Sequence, residues 1–117
     1  MQHFEEIWRF ETARFAVIGE AAPETDFDYD GDDEDGEIAA AIASGEYAWF
    51  VARVRVVLLD TGETLGTDYL GGCCYAEPSD VFRADNYGRS MVAQAVQAAR
   101  EHVATLASLS LRAPARV

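Results

Sequence analysis

The chain has no lysine, only two cysteines, two histidines and three prolines among its 117 residues. Each shortage excludes a class of function. The cysteines, Cys73 and Cys74, are adjacent, and neighbouring residues almost never bridge each other. With no second pair there is neither a disulfide framework nor a zinc quartet. A catalytic thiol needs a base, and neither His3 nor His102 stands in a recognisable pairing. No apolar run approaches the roughly 18 to 20 residues that span a bilayer, and "MQHFEEIWRF" carries acids where a signal peptide needs a basic region. The expectation is a cytoplasmic protein with reduced thiols. The shortage of bases is equally restrictive. Nine arginines face 21 acids, a net charge of −12. Phosphate neutralisation needs a basic stripe, so direct binding of nucleic acid or an anionic membrane is excluded.

What the chain does have is a globular composition and one concentrated field. Half of the residues are hydrophobic and 11% aromatic, enough for one domain over residues 1–117 to bury its own core. Residues 20–37 hold ten acids and no base, whereas the remainder holds eleven acids and nine bases. At its centre lies "DFDYDGDDEDGE", with eight carboxylates in twelve residues.

Read for elements, Ile7 to Gly19 alternates as a strand through Trp8, Phe10, Thr12, Ala16 and Ile18, with a helix left open because Arg14 breaks that apolar face. Gly19 and Pro23 signal a turn in "GEAAPET". "TDFDYD" alternates strictly, which as a strand puts Phe27 and Tyr29 on the core side and aspartates on the other. "EIAAAIASG" reads as a short helix stopped by Gly45. "YAWFVARVRVVLL" is the clearest strand. Its face of Phe50, Ala52, Val54, Val56 and Leu58 is wholly apolar, and its face of Trp49, Val51, Arg53, Arg55 and Val57 is mixed and expected to be partly exposed. "DTGE" turns a hairpin at Gly62 into "TLGTDYLGGCCY", whose glycines predict a bulge or the close approach of a helix. Ser79 is placed to cap a single turn. The last helix begins near Asp85 or Asn86, with Val92, Val96, Ala99, Val103 and Leu106 as its stripe, broadened by Met91 and Ala95. The tail "LRAPARV" is expected to fray. The fold class that follows is α+β: an antiparallel sheet of three to four strands, a long C-terminal helix packed on one face, and a short helix after the acidic loop.

Two chemistries suit the acidic stretch. Asp26, Asp28, Asp30, Gly31 and Glu37 satisfy every specified place of the calcium-loop pattern D-x-[DN]-x-[DN]-G-x5-E, with Asp32 as a further oxygen donor. Those twelve residues resemble an EF-hand loop. Asp33 stands at the normally apolar eighth place, Pro23 discourages an incoming helix, and there is no second loop. Calcium is therefore the alternative cofactor, with none as the first expectation. The other chemistry is display. Carboxylates along one edge of a strand repeat at about 7 Å, near the phosphate spacing of a nucleic-acid strand. Asp26, Asp28, Asp30, Asp32, Asp33, Glu34, Asp35 and Glu37 would then engage a basic surface of another protein, such as a member of a nucleic-acid-binding complex. Trp49, Arg53 and Arg55 are candidates for the same interface, because tryptophan and arginine are favoured hot-spot residues. The plain alternatives are a solvated loop that keeps the protein soluble and edge arginines that guard against aggregation.

Enzymatic signals are weak: Ser90, Ser108 and Ser110 have no nucleophile-elbow context, and Gly71 and Gly72 precede no phosphate-binding helix. "LGTDYLGGCCY" followed by "YGRSMVAQAVQAAR", within Leu65 to Arg100, resembles small uncharacterised proteins carried by phages and mobile elements of Proteobacteria. That resemblance implies an anti-defence role of the anti-CRISPR type and no residue roles. The expectation is a non-enzymatic, nucleic-acid-mimicking inhibitor, with a calcium module as the alternative and a homo-oligomer or enzyme accessory subunit behind it.

Overall fold

A computed structural model of the chain describes residues 3–24 and 35–112, with side chains described through residue 109. Four antiparallel strands form one sheet in sequence order: β1 (Glu5–Glu11), β2 (Phe15–Pro23), β3 (Ala48–Leu58) and β4 (Thr64–Tyr75). Helix α1 (Glu37–Ser44) lies between β2 and β3. A single 3-10 turn (Pro78–Phe82) and the long helix α2 (Gly88–Arg112) follow β4. The α+β class, the short helix after the acidic loop and the helix on the sheet agree with the expectation.

The first departure is at the N-terminus. Ile7 to Gly19 is neither one strand nor a helix but two strands joined by a tight turn. Thr12 builds that turn without glycine or proline. Its N–H donates to Phe15 O at 2.8 Å, and its hydroxyl oxygen accepts the Phe15 N–H at 3.1 Å. A side chain that mimics a backbone turn leaves little signal in sequence. The second departure is at "GEAAPET", where β2 runs straight on through Pro23. The N–H of Glu24 donates to Trp49 O across β3 at 3.1 Å, so position 23 faces the β1 side, where pairing has already ended at Ala21. A missing donor costs nothing there. The stretch "TDFDYD", with Phe27 and Tyr29, lies outside the described residues.

The β2–β3 pairing is regular from Phe15↔Leu58 to Pro23↔Phe50, whereas β4 carries two irregularities. One falls at Gly71–Gly72, where an extra residue opposes Phe50–Ala52 and Gly72 takes φ 64°. The other falls beside Gly66, where α2 crosses. A Cβ on Gly66 would collide with the backbone oxygen of Ala95 and the backbone nitrogen of Ala99. The bulge and the close approach expected of these glycines are both present.

The core lies between α2 and the face of Phe50, Ala52, Val54 and Val56, closed by Leu65, Val81, Met91, Ala95 and Ala99. The buried stripe of α2 is thus its small side, Gly88–Met91–Ala95–Ala99. The expected stripe is rotated by part of a turn: Val92 and Val96 are half-buried, and Val103 and Leu106 are exposed. Gly66 explains the rotation, because backbone-to-backbone packing favours small residues over valines. Ser79 does not cap the 3-10 turn. Glu77 precedes it, and its N–H donates to Asp80 Oδ2 at 3.3 Å. Asn86 precedes α2 rather than opening it, with its side-chain amide donating to Asp80 O at 2.7 Å. No helix among the described residues is long and apolar enough to cross a membrane.

Candidate functional site

The acidic stretch occupies the connection between β2 and β3, two strands that pair residue for residue up to Pro23↔Phe50. A two-residue turn suffices to join such neighbours. Here the connection is a long insertion, residues 24–47, and the acidic run of the sequence falls within it. Its first residue is fixed twice. The Glu24 N–H binds β3 as described, and its carboxylate reaches across to accept the Gly72 N–H at 2.8 Å. The Gly71–Gly72 bulge turns that N–H out of the ladder, so the irregularity and the carboxylate explain each other. At the far end, α1 starts with Glu37 in its first turn, favourably placed on the helix dipole, and ends where the Gly45 N–H donates to Ile42 O at 3.2 Å.

Of the sequence-predicted site residues, Asp35 and Glu37 are exposed on this insertion, and Asp26, Asp28, Asp30, Asp32, Asp33 and Glu34 lie outside the described residues. The element that enters the loop is a strand, so the helix–loop–helix frame of an EF-hand is absent around Asp26 to Glu37. The calcium alternative therefore stands on the pattern alone.

Trp49, Arg53 and Arg55 do not form an open hot spot. Trp49 is buried at 9% exposure, and the two arginines converge on Glu20. The register sets Glu20 directly opposite Arg53, with Arg55 two residues along on the same face. Arg53 Nε and Arg55 Nε both donate to Glu20 Oε1 at 2.8 Å, and Arg55 Nη2 donates to Oε2 at 3.0 Å. Arg55 Nη1 also donates to Thr64 Oγ1 at 3.0 Å, while the Arg53 guanidinium lies 3.7 Å from the centre of the Phe4 ring. Burial pushes the Glu20 carboxyl up, but hydrogen bonds and charge from Arg55 and Arg53 outweigh it and hold the group below its ordinary value. Counting by sequence placed Glu20 in the solvated acidic run. It belongs instead to the sheet, and the signal that could have shown this is its position opposite Arg53 once β2 and β3 are paired. Without Glu20, the acidic run of the sequence begins at Glu24. Residues 24–37 hold nine acids and no base, against twelve acids and nine bases elsewhere.

The remaining reactive groups are arranged for packing. Cys73 is buried, its thiol donates to Leu70 O at 3.2 Å, and burial pushes its pKa up to about 11, the wrong direction for a nucleophile. Cys74 is half-buried, and burial raises its thiol as well. His102 Nε2 faces Glu63 Oε2 at 3.7 Å. Among known proteins, no family model, curated sequence or solved structure matches this chain.

Proposed function

We propose that this chain is a non-enzymatic acidic binding protein whose β2–β3 insertion engages a basic surface on another protein, one that otherwise holds nucleic acid. The observation that carries the reading is the segregation of charge. Nine carboxylates without a base fall from Glu24, tied to β3 and β4, to Glu37 on α1, while the only buried acid among the described residues is neutralised by its own two arginines. Acids confined to one insertion repel one another, and a cationic partner relieves that repulsion. A fixed root lowers the ordering cost of binding, so more of the electrostatic attraction appears as affinity. The resemblance to phage and mobile-element proteins makes a nucleic-acid-handling defence complex the partner of choice, with the chain as its inhibitor.

The test is capture of partners from host lysate by the wild-type chain and by a variant with Asp28, Asp30, Asp32 and Asp33 all changed to Asn. Capture is expected at about 0.1 M salt and lost at about 1 M, as the screening length falls from roughly 10 Å to roughly 3 Å. The variant is expected to capture at least tenfold less while melting at or above the wild-type temperature. Equal capture by both proteins would refute the role of the insertion.

A further inference from the structure

Helix α2 covers only half of the sheet face on which it packs. It lies over β4 and β3, and its contact with β1 and β2 is slight. Strands sit about 4.8 Å apart and a helix is about 10 Å across, so one helix covers two strands. Four strands need two helices, and the described residues supply one to that face.

The uncovered half is an apolar groove. Its floor is Trp8, Phe15 and Val17, and register puts Phe10, 62% exposed, on the same face opposite Val17. Its wall is a flank of α2 made of Val92, Val96 and Val103, which sequence periodicity singles out, with Ala107 beside them. Val96 lines both of two neighbouring hollows, of about 510 and 530 Å³, which follow one another along α2 and are read together as one trough. The lining of α2 runs from Arg89 to Ala107, which at about 1.5 Å per residue matches a helix of about five turns.

The rim indicates what fits. Among the described arginines, Arg9, Arg53, Arg55 and Arg83 are each paired with a carboxylate. Arg89 and Arg100, which stand on the wall of this groove, have no ion pair, nor has Arg14 in the β1–β2 turn at its end. Among the described residues of a chain of charge −12, two of the three arginines without an ion pair line this apolar trough. A second copy would bring its own α2, which carries Arg89, Arg100 and Arg112 against a single acid, Glu101, and would set arginine against arginine. We propose that this groove binds an amphipathic α-helix of another protein, about five turns long, with an apolar stripe and acidic flanks. The site is separate from the acidic insertion and does not depend on its role.

A labelled 18-residue helical peptide with a leucine stripe and glutamate flanks tests this by fluorescence anisotropy, beside the same peptide with lysine flanks. The glutamate peptide is expected to bind the full chain at micromolar concentration and at least tenfold more tightly than the lysine peptide. The double variant Arg89→Glu, Arg100→Glu should reverse that preference, and Ala104→Glu, which puts a carboxylate into the trough, should weaken the glutamate peptide at least tenfold. All three positions are exposed, so the variants are expected to keep the wild-type melting temperature. No binding, equal binding of both peptides, or indifference to the arginine reversal would overturn the proposal. So would a wild-type dimer in solution that Ala104→Glu converts to monomer, because a second copy would then fill the groove.

Discussion

Glu20→Gln is expected to lower stability by about 3 kcal/mol, the low end for removing one partner of a buried ion pair. For a domain of this size that is a fall of about 12 °C in melting temperature. The side chain keeps its shape, so the loss is electrostatic. Glu20 is 6% exposed and receives three charge-assisted hydrogen bonds, and the amide would leave two guanidiniums without a counter-charge. Their side chains retain 20% and 26% exposure, which is why the low end applies. The matched control is Glu6→Gln on β1. Glu6 pairs with Arg9 at 3.0 Å, but both side chains are about 40% exposed or more, and water screens them. A change of about 0.5 kcal/mol or less is expected there. The pH dependence follows from the direction of the Glu20 shift. Its folded-state carboxyl titrates below the ordinary 4.5, so its stabilisation is complete above that value and is lost as pH falls below it. Chemical denaturation of wild type and Glu20→Gln between neutral and acid pH reads this as two curves that converge on acidification. Parallel curves would contradict it.

Gly66→Ala is the other large effect, again about 3 kcal/mol and again read as a fall in melting temperature. The obstructing atoms are backbone, the Ala95 oxygen and the Ala99 nitrogen, and no rotamer change can move them aside. The helix would have to lift from β4, loosening Met91, Ala95 and Ala99 together. Gly71→Ala in the same strand is the control. Its new Cβ would meet only Glu24 Oε1, at 3.4 Å and on a flexible side chain, so a change below about 1 kcal/mol is expected. Equal losses at the two positions would show that α2 does not ride on Gly66.

These two residues also show what was legible in the sequence. Gly66 was visible as a glycine out of place in a strand, and close approach by a helix was its natural meaning. The β3 face, the Gly62 turn, α1 with its Gly45 stop and the long last helix were equally plain, because each carries its own local pattern. Glu20 was hidden because its meaning is relational. Until β2 is paired with β3, nothing separates it from the carboxylates that follow. The Thr12 turn was hidden for a different reason: one hydroxyl makes a reversal that sequence patterns assign to glycine or asparagine. The stripe on α2 was read with the right period but the wrong rotation, because valines look like core. The glycine beneath the helix selects its alanines instead. That rotation leaves Val92, Val96 and Val103 free to line the groove. The acidic stretch was legible as charge and position. Its partner was not, because complementarity belongs to two molecules and the sequence describes one.

If the acidic insertion takes the place of nucleic acid on a basic partner, as proposed, the two must compete for one surface. The most direct measurement is competition: duplex DNA titrated onto the complex of the wild-type chain with its captured partner. DNA is expected to release the chain in proportion to its concentration, and excess chain to displace DNA from the partner in return. A complex that withstands saturating DNA, while the partner binds DNA and the chain together, would contradict it.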